Sequence, residues 1–280
     1  MIPFSISIAI LSLAQGAVVA VPRAWDAGGL ARLRGRRWAL IPPLSVLAFV
    51  LIAREAERAS ADALTYLALV AVPLLSALAL GWLAWDAMPP KPSRALVVTP
   101  ALFALAWADR GGLAGEAAAL ILSGLSCAAL GALLAAVTPP RWLAAGIVAM
   151  AVADAALVVS DLLQRPNSAL NAAHPAAGLP RLQSAVFGTA VMGYGDLFVA
   201  GVLGGLLATA MGRSRQLRGA ALTALFALGF DLLFVFVSEL PATVPVALTL
   251  LVLMVRSRSG AAPGAAPQAT TPPPRVPAVR

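Results

Sequence analysis

Long apolar runs occupy most of this sequence, and a run of about 20 such residues predicts a helix that crosses a bilayer. Charged residues make up 11% of the 280 positions, about half the share found in soluble domains. We therefore predict a polytopic, all-α membrane protein with nine transmembrane helices. The predicted spans cover residues 2–21, 38–53, 64–85, 95–108, 117–138, 142–163, 184–211, 219–238 and 241–255.

The spans suggest three regions along the chain. Residues 1–139 form a five-helix membrane region, and residues 140–257 form a second membrane region containing helices six to nine. Residues 258–280 are rich in Pro, Ala and Gly, a composition that cannot bury a core and predicts a disordered tail. The first run lacks the positively charged start of a cleaved signal peptide, so we interpret it as a retained helix.

The basic residues predict the orientation. With nine spans, 15 of the 20 Lys and Arg fall on one side of the membrane and the remaining five on the other. The positive-inside rule then places the N-terminus outside and the C-terminus in the cytoplasm. Because the arginines lie between apolar runs and in the tail, the formal charge of +8 indicates topology rather than nucleic-acid binding.

Four acids lie inside apolar runs, where a carboxylate is costly and usually functional. These acids are Asp154, Asp161, Asp196 and Asp231. At 1.5 Å per residue, Asp154 lies about 16 Å along its helix from Arg165. On the following predicted helix, which enters from the same side, Asp196 lies about 20 Å in from Gln183, which predicts that it faces Asp154. Asp161 is near enough to the interface to be solvated, and we interpret Asp231 mainly as a structural or solvated residue.

Two neighbouring carboxylates can carry out hydrolysis without a metal or cofactor. Because both cannot ionise easily, they share a proton. The ionised member can then take a proton from water while the protonated member polarises a peptide carbonyl. The other candidate chemistries have little support, since the one histidine, His174, lies in a predicted outer loop and Cys127 has no partner cysteine. We expect no metal and no cofactor.

In its second half the chain resembles the presenilin and signal peptide peptidase family of intramembrane aspartyl proteases. The sixth predicted span carries Asp154, and the seventh carries the family's Gly-x-Gly-Asp as Gly193-Tyr194-Gly195-Asp196. The ninth opens with Leu240-Pro241-Ala242-Thr243, which is similar to the family's Pro-Ala-Leu motif. Two positions depart from the family pattern: Ala153 stands where the family usually has Tyr, and Thr243 replaces the motif's Leu.

The resemblance implies a protease that cuts transmembrane helices within the lipid bilayer. By it, Asp154 and Asp196 are the catalytic pair, with Asp161 as the alternative first acid. Gly193, Tyr194 and Gly195 form the motif around the second acid, and the two glycines let the active helix and the substrate approach closely. Pro241 and Ala242 shape the substrate cleft. The predicted orientation is that of signal peptide peptidases, which implies substrates with a cytoplasmic N-terminus. The oligomeric state stays open.

Three other interpretations stay open. The first is a prepilin peptidase, which also has Gly-x-Gly-Asp but generally has Lys where this chain has Phe198, and which has additional membrane-crossing sequence between its acids. The second is a proton-coupled membrane carrier, because such carriers also place acids at mid-membrane. The third is an inactive family member that only binds membrane helices.

Overall fold

The computed structural model describes residues 2–24, 28–83, 89–237 and 239–259. Ten α-helices dominate this part of the chain. They are α1 (Phe4–Ala20), α2 (Ile41–Glu55), α3 (Glu57–Leu78), α4 (Pro92–Ala108), α5 (Leu113–Val137), α6 (Pro140–Val159), α7 (Gln164–Ala172), α8 (Tyr194–Ala210), α9 (Arg213–Asp231) and α10 (Val244–Ser259). One two-stranded antiparallel sheet, β1 (Ser184–Phe187) and β2 (Ala190–Gly193), precedes α8.

The helices are those of a membrane protein. Four are long and apolar enough to cross a bilayer, and four shorter helices are also apolar. The long ones are 58–83, Leu113–Val137, Pro140–Val159 and 213–235, and the shorter ones are Phe4–Ala20, Pro92–Ala108, Tyr194–Ala210 and 244–256. Large apolar side chains cover the outside as well, for example Leu67, Val70 and Leu74 of α3, each more than 60% exposed. Such an apolar surface is suited to lipid rather than to water.

Helices α5 and α8 form the centre of the fold, where their backbones touch. A Cβ atom at Gly201 would overlap the carbonyl of Cys127, and one at Gly131 would overlap the carbonyl of Gly201. Farther along the same interface, Gly205 is equally close to the carbonyl of Gly131. Small residues are the usual means of close helix approach in membranes. This contact makes α8 a rigid support for the residues at its N-terminal end.

Contacts along α1 give the relative direction of α1 and α9 and the position of the hairpin turn. Near its start, the Ser7 hydroxyl accepts a hydrogen bond from the Thr189 N–H of the hairpin turn. Near its end, the Val19 carbonyl accepts one from Gln216, close to the start of α9. Ser12, in between, donates to Asp231 at the other end of α9. Helices α1 and α9 are therefore antiparallel, and the hairpin turn lies beside the start of α1.

The seventh predicted span is wrong in its first ten residues. Residues 184–193 form the β-hairpin instead of helix, and α8 begins only at Tyr194. Asp196 thus lies in the first turn of its helix, so the predicted helical path of about 20 Å from residue 183 to this acid does not exist. An all-α fold was predicted, and the hairpin is the part of the described structure that departs from it.

Two other predicted boundaries, the start of the tail and the end of the sixth span, differ from the helix ends in the structure. Arg258 and Ser259, assigned to the disordered tail, belong to the last turn of α10. The rest of that predicted tail, 260–280, lies outside the described residues. The sixth predicted span ends earlier than expected, at Val159, because the chain turns at Ser160 and Asp161 before α7 begins.

Candidate active site

A cavity of about 900 Å³ opens among the helices, and both predicted catalytic acids line it. Its walls come from α1, α2, α3, α5, α6, α7, α8 and α9, together with the hairpin, the segment before α10 and the first turn of α10. The volume is in the range of sites that enclose a sizeable ligand. Most of the lining is apolar, so the few polar groups in it are the candidates for chemistry.

Asp154 projects from α6 and is held by a residue from the other end of the sequence. Its side chain is 8% exposed. The Thr243 hydroxyl donates a hydrogen bond of 2.6 Å to the Oδ2 atom of Asp154, and the Thr243 N–H lies 3.5 Å from the same oxygen. A hydroxyl bonded to a carboxylate is a short, charge-assisted contact. One oxygen of Asp154 is therefore fixed by Thr243.

Asp196 is held by the turn that connects the hairpin to α8. The Gly193 N–H donates to the Oδ2 atom of Asp196 at 3.1 Å. This contact is one half of a capping box, in which the carboxylate at the third helical position accepts the N–H of the residue before the helix. The local sequence thus explains the placement of Asp196: strand β2 ends at Gly193, and the acid three residues later caps the helix start.

The two acids share one cavity, although they come from different helices. Each uses Oδ2 for the hydrogen bond that holds it. In the described ranges, no hydrogen-bond partner is found for either Oδ1 atom. This geometry leaves one oxygen of each acid free to act on water or a peptide group, as a two-carboxylate hydrolase requires.

The glycines of the motif allow close approach. A Cβ at Gly193 would be 3.0 Å from the Oδ2 atom of Asp196, so any side chain there would crowd the acid. A Cβ at Gly195 would meet only Met150, at 3.9 Å, which leaves its cavity side open. Tyr194, between them, points its hydroxyl to Ser126 of α5 at 2.8 Å. Tyr194 therefore anchors the motif to the central helix pair.

The segment before α10 forms one wall. Ala242, which the resemblance assigns to the substrate cleft, lines the cavity. Pro241 is not among the residues that line it, and its carbonyl accepts the N–H of Val244 at the start of α10. Pro241 therefore shapes the turn. Thr243 was noticed in the sequence only as a departure from the family motif, yet it is the residue that contacts Asp154.

Gln15 is a further site residue that the sequence reasoning missed. Its side chain is fully buried in α1. The Nε2 atom donates to the carbonyl of Asp196 at 3.3 Å and to the carbonyl of Ala242 at 2.8 Å. The available signal was a lone amide in an apolar run, where an unpaired polar group is costly.

The other two acids of the apolar runs have different surroundings. Asp161 lies in the turn after α6, is exposed, and is outside the set of residues that line the cavity. Its φ is 57°, a left-handed conformation that Asp tolerates better than most residues. Asp231 does line the cavity, and its Oδ2 atom accepts a 2.8 Å hydrogen bond from Ser12. The sequence offered no partner for Asp231, and the structure provides one.

The ionisable residues that line the cavity in the described part of the chain are all acidic. Its described lining contains four acids, Asp154, Asp196, Asp231 and Glu239, and no Lys, Arg or His. Burial and the nearby charge of Asp161 raise the pKa of Glu239, which lies between α9 and α10.

Among the described residues, no three His, Cys, Asp or Glu side chains come together as a metal site. Cys127 is buried in α5, with its Sγ atom 3.9 Å from the Tyr194 carbonyl.

Comparisons with known proteins add no relative. The chain matches no protein-family model, and no similar protein was found among curated proteins or solved structures.

Proposed function

We propose that the protein is an intramembrane aspartyl protease of the Gly-x-Gly-Asp type, with Asp154 and Asp196 as its catalytic pair. The observation that carries the proposal is that both acids line one largely apolar cavity, each held through Oδ2. A pair of carboxylates in this arrangement needs only water and a peptide to perform hydrolysis.

In the proposed mechanism, one acid takes a proton from a water molecule with its free oxygen. The water oxygen attacks the carbonyl carbon of the scissile peptide, whose oxygen is polarised by the proton held on the other acid. The tetrahedral intermediate then collapses, the C–N bond breaks, and the nitrogen leaves as an amine after receiving a proton from the pair. No covalent bond to the enzyme forms at any step.

The proposed substrate is a transmembrane helix that enters the cavity from the bilayer. The apolar walls match such a segment, and the glycines of the motif leave room for its backbone beside Asp196. A helix must unwind locally before its peptide bond can be cut, because its backbone groups are otherwise bonded within the helix. The polar groups of the cavity are suited to the unwound segment.

We propose nine spans, with α7 as an additional helix on the outer side. The antiparallel pairing of α1 and α9 agrees with the alternation that nine spans require for the first and eighth crossings. In the same scheme the N-terminus is outside and the C-terminus is cytoplasmic, from the distribution of Lys and Arg. Substrates would then have their N-terminus in the cytoplasm, as for signal peptide peptidases.

The test is cleavage of a model transmembrane peptide in detergent or bilayers. The purified wild-type chain should cut it, and Asp154→Asn and Asp196→Asn should each abolish cutting. The double variant should be no worse than either single one, because the two acids act as a unit. Asp161→Asn is the matched control, since Asp161 lies outside the cavity lining, and it should keep wild-type activity. Cleavage that survives either Asp154→Asn or Asp196→Asn would disprove the pair.

A proton-coupled carrier is the second candidate, favoured by the four acids and the lack of a basic residue in the described cavity lining. Such a protein would take up solute in proteoliposomes when a proton gradient is imposed, without cutting any peptide. In the prepilin-peptidase interpretation the first acid is Asp161, because residues 161–167 are similar to that family's first aspartate region. This interpretation has less support, because Asp161 lies outside the cavity lining.

A further inference from the structure

Gln15 connects the two halves of the acid pair. From α1, its Nε2 atom bonds the carbonyl of Asp196 on one side and the carbonyl of Ala242 on the other, at 3.3 and 2.8 Å. Asp196 is one member of the pair. Ala242 directly precedes Thr243, whose hydroxyl holds the other member, Asp154. A single amide therefore links the backbone of one acid to the segment that fixes the second.

The hydrogen bond to Ala242 is important for that segment. Around it, the Pro241 carbonyl accepts Val244 N–H and the Thr243 carbonyl accepts Ala247 N–H. No other partner for the Ala242 carbonyl is found in the described ranges. The Oε1 atom of Gln15 is itself buried without a partner there. An unpaired buried acceptor costs stability, which an apolar side chain of similar size would avoid.

We propose that Gln15 is a positioning residue of the acid pair. This inference rests on the proposed function, because it concerns how the same site is held in its reactive geometry. The Gln15 amide sets the position of the Ala242–Thr243 segment relative to the start of α8. Through Thr243 it thereby sets the separation between Asp154 and Asp196. Catalysis is sensitive to such placement, since a shift of about 1 Å can cost a hundredfold in rate.

The chain contains a matched control for this role. Gln216 is also a buried glutamine, 1% exposed, and its Nε2 atom also bridges two backbone carbonyls, those of Val19 and Pro22. It joins α1 to α9 as Gln15 joins α1 to α8. Gln216 does not line the cavity, and its hydrogen bonds to Val19, Pro22 and Arg213 reach neither acid. Unlike the Oε1 atom of Gln15, that of Gln216 has a donor, Arg213. Loss of a buried amide bridge can therefore be separated from loss of this particular bridge.

The kinetic experiment compares Gln15→Met with Gln216→Met in the peptide-cleavage assay. We expect Gln15→Met to lower kcat by about tenfold to a hundredfold, with little change in KM, because the substrate-binding walls are intact. Both substitutions remove a buried amide bridge, so we expect each to lower the apparent melting temperature. Gln216→Met should nevertheless leave kcat unchanged. Equal kcat values for Gln15→Met and wild type, with Asp196→Asn inactive, would overturn the inference and leave the proposed function standing.

A Glu at the same position gives a signature that simple packing would not produce. A carboxyl group can donate a hydrogen bond only while it is protonated. The kcat of Gln15→Glu, divided by that of wild type at each pH, should therefore rise as the pH falls. The corresponding ratio for Gln15→Met should be flat. A flat ratio for both variants would argue that the donor of Gln15 has no effect on the pair.

A third measurement does not depend on activity. With Cys127→Ser as background, Thr243→Cys places a thiol on the segment that Gln15 holds. Adding Gln15→Met should raise the rate of thiol modification by about tenfold, the change expected for losing one buried hydrogen bond, whereas adding Gln216→Met should not. If the wild-type chain cuts no peptide, this rate still decides whether Gln15 fixes the segment. Unchanged labelling would overturn the inference.

Discussion

At the residue scale, the contact between Thr243 and Asp154 decides whether the first acid is held for reaction. The hydroxyl donates at 2.6 Å to a side chain that is almost fully buried. Thr243→Val keeps the shape and removes the donor, so we expect kcat to fall about tenfold to a hundredfold, the range for a hydrogen bond to a charged group. Thr243→Ser keeps the hydroxyl and should retain most of the activity.

The assay for Thr243 is the same peptide cleavage, followed beside apparent melting temperature. Valine that is as active as threonine would show that Asp154 does not need this donor. A drop in activity for the Ser variant would show that the threonine methyl group also contributes through packing, because serine lacks that methyl and valine keeps it. A Leu at this position, as in the Pro-Ala-Leu motif, has no donor and could not make this hydrogen bond.

Glu239 gives a pH-dependent prediction at the same scale. Its pKa is raised by burial and by the charge of Asp161, so the folded state binds this proton more tightly than the unfolded chain. The resulting stability is fully present below the ordinary value of 4.5 and is lost as the pH rises through the folded pKa. Glu239→Gln should therefore raise the apparent melting temperature at neutral pH, by an amount that shrinks toward pH 4.5.

The matched variant is Asp161→Asn, which removes the neighbouring charge but leaves the carboxyl of Glu239 in place. Its melting temperature at neutral pH should lie between those of wild type and Glu239→Gln. Melting curves recorded in detergent from neutral to mildly acidic pH provide the measurement. A wild-type protein that loses stability relative to Glu239→Gln as the pH falls would have the opposite sign and would exclude this account.

At the element scale, α5 and α8 must touch for Asp196 to have its position. Because a Cβ at Gly201 would overlap the Cys127 carbonyl, Gly201→Ala should push the two helices apart. We expect a loss of about 1–3 kcal/mol, typical of overpacking, seen as a lower melting temperature. Gly229 has nothing within 4 Å of its added Cβ, so Gly229→Ala is the control and should leave the melting temperature unchanged or higher. Equal effects of the two substitutions would contradict the contact.

The helices could be predicted from the sequence better than the hairpin could. Long apolar runs mark membrane helices because the bilayer requires them. Residues 184–193 are mostly apolar as well, and a short apolar run fits a helix or a strand equally well. The hairpin is held instead by distant groups, since its turn contacts Ser7 of α1 and Glu116 of α5. Those contacts are tertiary and have no local signal.

In the candidate site, too, some residues could be identified from the sequence and others only from the structure. Asp154 and Asp196 could be identified because an acid in an apolar run is conspicuous, and the structure brings both to one cavity. Thr243 and Gln15 could not be assigned, because their partners lie 89 and 227 residues away along the chain. Which polar side chain reaches which carbonyl depends on helix packing, and the sequence alone leaves several arrangements open.

At the scale of the whole molecule, the orientation in the membrane decides which substrates reach the acids. The proposal places the turn of the hairpin, the start of α1 and α7 on the outside, and Arg213 and Gln216 on the cytoplasmic side. Arg213 and Gln216 bond carbonyls at the end of α1, whereas the hairpin turn contacts Ser7 near its start. The two sides are therefore the two ends of a single helix, α1. Orientation is therefore a single choice for the entire bundle, and two reporter positions are sufficient to decide it.

Fusions of a periplasmic-active and a cytoplasmic-active reporter provide that measurement. When fused after residue 259, only the cytoplasmic-active reporter should give a signal. When inserted in the loop after α7, near His174, only the periplasmic-active reporter should give one. The matched control removes basic residues from the predicted cytoplasmic side. Replacing Arg213, Arg215 and Arg218 by Gln lowers the excess of positive charge on that side, so both reporters should then give a signal. A wild-type C-terminus outside would reverse the orientation, and the preferred substrates would then be helices whose N-terminus is external.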